Sequence, residues 1–303
     1  MNKFIKKVLI FSTPIIIFIV LMEVLLREIP NDYSYKKNYL DTHSNEIETL
    51  FLGSSHTYRG INPEIIHSKS FNAAYVSQSI DYDLEILKKY ENQTAKLKFI
   101  VIPIDYFSLY NRLETGVESW RIKNYTIYYC LKKEYKFKAN FEILNGKLLE
   151  NLIRIVNYKW NHKSSITSDK LGWGKLNFIN NKDLMTAGKA VAKRHAKKQK
   201  SFYNENVAIV NEIISLAKAK NAKVIFYTSP AYKTYVYQLN KQQLQRTVTT
   251  ITNIASSNTN VKYFNFLSDK SFDAKDFFDA DHLNEIGAEK FSKKMDSIIM
   301  NLK

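Results

Sequence analysis

Short strand-like apolar segments alternate with amphipathic helical ones along this chain, and that rhythm most constrains its fold. Glu48–Leu52 (ETLFL) runs into Gly53, the pattern of a strand followed by a turn. Ser70–Ala73 reads as a short second strand. Asp81–Gln93 reads as an amphipathic helix with Leu84, Leu87 and Tyr90 on one side. Leu97–Ile104 (LKFIVIPI) is a buried strand that Pro103 ends or bulges. Further on, Ser201–Lys220 is a helix, and Lys223–Thr228 (KVIFYT) is a strand stopped by Pro230. Gln238–Ser256 is a helix, Val261–Phe266 a strand, and Asn284–Leu302 a closing helix with Ile286, Phe291, Met295, Ile298 and Ile299 apolar. Strands alternating with helices predict an α/β fold, with a parallel sheet covered by helices on both faces.

Residues 105–200 interrupt the rhythm. They are rich in Lys, Asn and aromatic residues (Tyr106, Phe107, Tyr110, Trp120, Tyr125, Trp160 and Trp173 among them) and predict a mostly helical insertion between the third and fourth strands. The aromatic rings suit either stacking on sugars or packing of a helical core.

Composition narrows the classes. With 303 residues, 45% of them hydrophobic, the chain can build one large core or two small ones. Its one cysteine, Cys130, excludes an intrachain disulfide and a cysteine metal cluster. The formal net charge is +16, yet seven of the 45 basic residues are Arg. Bidentate reading of bases and phosphates favours Arg, so specific nucleic-acid binding is not expected. The densest basic run, Lys189 to Lys200, reads as a solvated helix face.

At the N-terminus, Lys3, Lys6 and Lys7 precede Val8–Leu26, which is apolar except for Ser12, Thr13 and Glu23. At about 1.5 Å per helical residue this run spans roughly 28 Å, near the hydrocarbon thickness of a bilayer. The flank Arg27-Glu28-Ile29-Pro30 lacks a small-residue cleavage pattern, which favours an uncleaved anchor over a signal peptide. Glu23 lies near the outer end, where its carboxyl can reach the interface. The basic leader places the N-terminus inside and the globular part on the extracytoplasmic side of the cell membrane. The expected organisation is an anchor over 1–27, a linker over 28–45, and an α/β domain over 46–303 that carries the insertion.

Open α/β sheets place ligand sites at the carboxyl ends of their strands. Gly53-Ser54-Ser55-His56 follows the first strand, Phe71-Asn72-Ala73-Ala74 through Ser77 the second, and Asp279-Ala280-Asp281-His282 the last. A serine is a weak nucleophile until an imidazole takes its proton, and the imidazole works best when a carboxylate fixes its tautomer. The D-x-x-H spacing lets Asp279 reach His282 from one short loop. Asp281 is the competing carboxylate; adjacent residues diverge in direction, which favours Asp279. The backbone N–H of Ser55 is a natural oxyanion donor. His56 is a candidate for binding substrate, and Arg59 for clamping an anionic group. A metal site built from His56, Asp279, Asp281 and His282 has no fixed ligand count, and no metal or cofactor is expected.

The order Gly53-Ser54-Ser55, Phe71-Asn72-Ala73-Ala74, then Asp279-x-x-His282 before a final helix resembles the SGNH (GDSL-like) hydrolase superfamily. Within it the chain resembles the membrane-anchored bacterial branch that includes cell-envelope O-acyltransferases. The resemblance covers roughly 46–104 and 203–303. It implies a flavodoxin-like three-layer α/β/α fold, with Ser55 as nucleophile, His282 as base and Asp279 as its partner. It also implies oxyanion or substrate contacts from Ser77 and Asn72, while Asn72 equally suits an Asx-turn that stabilises its loop. The implied activity is a serine esterase or O-acyl(acetyl)transferase acting on a cell-envelope carbohydrate. The alternative is a catalytically degraded member that binds a glycan or an envelope partner. Two positions depart from the pattern. Ser54 stands where the family has Asp, and Pro103-Ile104-Asp105-Tyr106 has no Asn where the family has its third oxyanion donor.

Overall fold

The structure, a computed structural model, describes residues 2–131, 133, 136–176, 181–196 and 202–303, with backbone alone at residues 2 and 181–183. Residues 197–200 of the basic run and residue 201 at the expected helix start lie outside the described residues. In chain order come α1 (Asn2–Arg27), α2 (Asp32–His43), β1 (Thr49–Phe51), α3 (Ser55–Gly60), β2 (Ser70–Asn72), α4 (Ile80–Tyr90), β3 (Phe99–Pro103), α5 (Ile122–Ile127) and α6 (Leu148–Lys159). There follow α7 (Asn181–Thr186), α8 (Gly188–His195), α9 (Tyr203–Ala219), β4 (Lys223–Thr228), α10 (Lys233–Val236), α11 (Lys241–Ser256), β5 (Val261–Asn265) and α12 (Glu285–Asn301). The chain divides into two compact units, Met1–Asn38 with Ser119–Thr167, and Tyr39–Glu118 with Ser168–Lys303.

The second unit holds a five-stranded sheet in the order β2-β1-β3-β4-β5, every neighbouring pair parallel. This is the flavodoxin-like strand order, whose direction of winding reverses between β1 and β3. Successive strand residues point to opposite faces, and both faces are apolar. Leu50 and Ile100 share one face with Leu87 and Tyr90 of α4 and Leu216 of α9. Phe51, Val101, Ile225 and Tyr227 share the other with Phe291, Met295 and Ile299 of α12. The Phe291 ring lies 5.4 Å from that of Tyr227 and 5.3 Å from that of Phe266, so cutting it to alanine costs about 3–5 kcal/mol. This core fixes the end of the sheet from which the site loops project.

The first unit joins the apolar helix α1 to the middle of the expected insertion. Met22, Leu26 and Ile29 pack with Ile155, and Leu152 and Ile143 lie against them. The Glu23 carboxylate pairs with Arg27 at 2.7 Å and accepts from the backbone N–H groups of Glu142 and Ile143 at 3.0 and 2.9 Å. Its partners are therefore in the protein, where the sequence reading sends it toward the interface. A buried cluster lies nearby, in which Lys123, Arg154 and Tyr128 all donate to Glu142. Tyr33 meets Tyr125 edge to face at 5.0 Å, so these insertion aromatics form a core.

Two expectations change. Residues 28–45 hold a helix, α2, in place of an irregular linker, and Asp32 at its start accepts from the Thr167 backbone and hydroxyl at 3.0 and 2.7 Å. The insertion is not one body. Of its described residues, those within 119–167 belong to the first unit, while those within 105–118 and 168–196 belong with the sheet. There α8 buries Val191 and Ala192 against Tyr106, Tyr235 and Leu239 and leaves Lys189, Lys193 and Arg194 exposed.

Candidate active site

The site begins at a turn that glycine alone accommodates. Gly53 follows β1 with φ +112°, and a Cβ there would stand 2.3 Å from Pro103 Cδ. Its N–H donates to Asp83 Oδ1 at 2.8 Å, and Gln78 Nε2 donates to the same oxygen at 2.6 Å. Ser54 is the N-cap of α3, its hydroxyl accepting from the His56 N–H at 3.5 Å. Serine and aspartate are both strong N-cap residues, so the departure at position 54 keeps a capping side chain. Ser55 opens the helix.

The loop before α12 is built as tightly. The Asp279 carboxylate accepts from the backbone N–H groups of Asp281 and His282 at 3.0 and 2.8 Å, curling the chain onto itself. Asn284 caps α12 through the Gly287 N–H at 3.0 Å and donates to the carbonyls of Lys275 and Phe277 at 2.7 and 3.2 Å. The loop thereby presents His282 to Ser55. His282 Nε2 lies 2.8 Å from Ser55 Oγ, and His282 Nδ1 lies 3.0 Å from both oxygens of Asp279. A tautomer with its proton on Nδ1 donates to Asp279 and leaves Nε2 to accept the serine proton. This is the geometry that general-base activation of a serine requires. The His282 and Asp279 side chains keep 20% and 23% of their exposure, so the group at Ser55 is accessible from solvent.

Behind this chain runs a second one. His56 Nδ1 lies 2.7 Å from Asp105 Oδ2, and His56 Nε2 lies 3.3 Å from Asp281 Oδ2, with all three side chains buried. Asp105 Oδ1 accepts from the Ser229 N–H at 2.8 Å. Burial disfavours the His56 imidazolium, but the charges and hydrogen bonds of Asp105 and Asp281 outweigh it and raise its pKa to about 10. His56 is thus a cation at neutral pH. Burial opposes ionisation of Asp281, but the neighbouring His282 and His56 hold its carboxyl well below the usual range. Asp281 Oδ1 makes no hydrogen bond among the described residues and stands 3.4 Å from His282 Nδ1, a second carboxylate beside the first. A third histidine, His195, lies with Nδ1 2.9 Å from the Tyr235 hydroxyl and its ring 4.4 Å from Phe107. Burial pushes its pKa down to about 4, against the pull of Asp281.

Several residues stand elsewhere than expected. Asn72 is fully buried; its amide donates to the carbonyls of Thr57 and Ile61, each at 2.9 Å, and its Oδ1 accepts from the Ala74 N–H at 3.1 Å. Its polar atoms are consumed in tying α3 to the loop after β2, which replaces the expected oxyanion or substrate contact. His56 faces Asp105 and Asp281 through both ring nitrogens, which replaces its expected contact with substrate. Arg59 donates to the Gly174 carbonyl at 3.1 Å and lies 4.9 Å over the Tyr58 ring, a packing role in place of an anion clamp. Trp173 donates to the Arg59 carbonyl at 2.7 Å, so it braces the same loop. Ser77 occupies the turn after β2 with φ +60°, a left-handed conformation uncommon for a residue other than glycine.

Asp105 and Asp281, read from the sequence as a missing donor and a competing carboxylate, prove to be the two partners of His56, and His195 and Asp83 lie near them without having been singled out in the sequence. One signal for the first two is adjacency, because His56 directly follows Ser55 and Asp281 directly precedes His282. His56, Asp281 and His282 offer ligand atoms within 4.8 Å of one another. A cation bound there would have to displace the proton of the His56 imidazolium and compete with Ser55 for His282.

No protein-family model and no curated protein matches the chain. Among solved structures, it is similar to a Streptococcus pneumonia protein described as a candidate platelet activating factor, with 12% identity, 96% of this chain and 98% of that one covered, and a TM-score of 0.46. A candidate acylhydrolase from Bacteroides fragilis is similar at 11% identity, with 87% and 95% of the two chains covered and a TM-score of 0.43. A GDSL-like lipase from Bacteroides thetaiotaomicron is similar at 11% identity, with 89% and 100% covered and a TM-score of 0.43.

Proposed function

We propose that this chain is a serine esterase or O-acyltransferase, held at the cell membrane by α1, that acts on a carbohydrate ester of the cell envelope. The observation that carries the proposal is the unbroken hydrogen-bonded chain from Ser55 through His282 to Asp279. Ser55 Oγ attacks the ester carbonyl while His282 Nε2 takes its proton. Charge develops on the carbonyl oxygen and is met by backbone N–H groups, that of Ser55 and, by the resemblance, that of Ser77. The tetrahedral intermediate collapses, His282 returns the proton to the leaving alcohol, and an acyl-Ser55 remains. A water or a sugar hydroxyl, deprotonated by His282, then takes the acyl group. Asp279 and the nearby Asp281 stabilise His282 while it is charged. Among the described residues one helix, Lys3–Arg27, is long and apolar enough to cross a membrane. An anchor of this kind favours a surface glycan or lipid-linked acceptor over a free metabolite.

The test is hydrolysis of a small aryl acetate by the full chain in detergent. Ser55→Ala and His282→Ala are each expected to lower kcat by 10³-fold or more. Full activity in both variants removes the proposal. A second reading, a degraded member that binds glycan without turnover, is favoured by Asp105, whose carboxylate is committed to His56 where the resembled family has an oxyanion donor. Labelling of Ser55 by a fluorophosphonate, lost on heat denaturation, removes that second reading.

A further inference from the structure

The apolar surface of the first unit does not end with α1. On α6, Leu149, Ile153, Val156 and Trp160 are 69%, 50%, 46% and 71% exposed. Their spacing of four, three and four residues places all four within an arc of about 60° on a helix that turns 100° per residue. The adjacent arc, with Leu152 and Ile155, packs against Met22 and Leu26 of α1. Phe137, 74% exposed, belongs to the same unit. A water-facing helix would carry polar residues on that stripe.

The register of α1 decides what covers it. Bilayer hydrocarbon takes a run of about 20 predominantly apolar residues, and Val8–Leu26 supplies a run of nineteen, all but Ser12, Thr13 and Glu23 apolar. Met22 and Leu26 both lie in the last five residues of that run, and they are residues α6 packs on. From Leu21 to Arg27 is about 9 Å along the helix, so α6 lies at the depth of the outer hydrocarbon edge and headgroups. A helix held at that depth meets lipid on its free face.

We propose that the Leu149–Trp160 face of α6 is seated in the outer leaflet, so that the membrane contacts the insertion as well as α1. The occupant is lipid, with acyl chains against Leu149, Ile153 and Val156 and the headgroup boundary at Trp160, where an amphipathic ring is favoured. Exposed Lys136, Lys138, Lys147 and Lys163 flank the stripe in sequence and suit anionic headgroups. The inference rests on α1 being the anchor.

The test uses the full chain in vesicles of phosphatidylcholine with about one third phosphatidylglycerol. Cys130 is exposed and is replaced by serine. Nitroxide labels are then placed singly through Ile17→Cys, Ile153→Cys, Val156→Cys and Lys163→Cys. Collision with oxygen, which concentrates in lipid, is compared with collision with a water-soluble nickel chelate. The expected result is an oxygen-to-nickel ratio at 153 and 156 several-fold above that at 163 and below that at 17, which lies near the middle of the bilayer. A lipid-like signal at 17 with a water-like signal at 153 and 156 overturns the inference and leaves the anchor standing. Labels at 153 and 156 shielded from both reagents mean that protein covers the face, which also overturns it. A water-like signal at 17 refutes the anchor itself, and the inference falls with it.

Discussion

Replacing His56 by glutamine should change how stability depends on pH, because the imidazole is held as a cation between Asp105 at 2.7 Å and Asp281 at 3.3 Å. The His282 ring at 5.1 Å and the Phe107 ring at 5.6 Å complete its surroundings. The folded-state pKa is raised from 6.5 to about 10. A base with a raised folded pKa contributes stability that is fully present below the unfolded value and is lost as pH rises through the folded one. The window is therefore pH 6.5 to 10. Across it the proton on His56 is worth about 5 kcal/mol, or about 1.4 kcal/mol per pH unit. Glutamine carries no proton to lose. It also leaves two buried carboxylates without their counter-ion, a loss of about 3–5 kcal/mol at neutral pH. Urea denaturation of the full chain in a neutral detergent, followed by circular dichroism at constant ionic strength, measures both effects. Between pH 7 and 9 the stability difference between wild type and His56→Gln should shrink by about 3 kcal/mol. Lysines and tyrosines that titrate nearby affect both proteins and cancel in the difference. Parallel curves across that range would refute the assignment of His56 as a buried imidazolium, and with it the second carboxylate–histidine chain.

Gly53→Ala should lose about 3 kcal/mol or more by thermal denaturation, since a Cβ meets Pro103 Cδ at 2.3 Å and φ is +112°. Adding Pro103→Ala should restore part of that loss and leave the left-handed strain of about 1–2 kcal/mol. Burial raises the Asp83 carboxyl to about 7, against the Gln78 and Gly53 donors. Protonation of Asp83 therefore stabilises the fold below pH 3.8, and this stability is lost as pH climbs to 7. Asp83→Asn keeps the acceptor for the Gly53 N–H, so its advantage over wild type in urea denaturation should narrow by about 2–3 kcal/mol from pH 7 to pH 5; a constant gap would count against a neutral Asp83 at pH 5. Asp279→Asn should lower kcat on an aryl ester by about 10³- to 10⁴-fold with KM little changed, because the tautomer of His282 is no longer fixed; an unchanged kcat would mean that Asp281 suffices.

The elements most legible in the sequence are those whose partners are local or periodic. Three of the five strands, β1, β3 and β4, lie where apolar runs end at Gly53, Pro103 or Pro230, and the D-x-x-H loop announces its own internal hydrogen bonds. Helix α2 was hidden because its sequence, DYSYKKNYLDTH, has almost no amphipathic stripe, and its anchoring bonds reach Thr167, more than a hundred residues away. Asn72 stayed open between two readings for a different reason. An amide donating to Thr57 and Ile61 and an amide facing substrate have the same signature in one sequence. Asp105 looked like a missing donor because its partner, His56, comes from another strand end. The split of the insertion followed from the packing of Ile155 on α1, which no local pattern encodes.

Two dipeptides, Ser55-His56 and Asp281-His282, each send one residue outward and one inward; the first does so at the start of a helix that turns roughly 100° per residue, the second in the loop curled by Asp279. The outward pair, Ser55 and His282, meets at 2.8 Å in a half-open position. The inward pair, His56 and Asp281, is buried and joined to Asp105 from the end of β3. That inner ion cluster ties together the turn after β1, the turn after β3 and the loop before α12, which are the segments that must stay in register for Ser55 to face His282. An asparagine at 105 would serve a different design. It would free a donor for a developing oxyanion but would remove one of the two charges that keep His56 protonated. Asp105 and His56 are thus two halves of one choice. The chain holds its serine and histidine in place by a buried charge cluster, and under the proposed function oxyanion stabilisation would fall to backbone N–H groups such as that of Ser55.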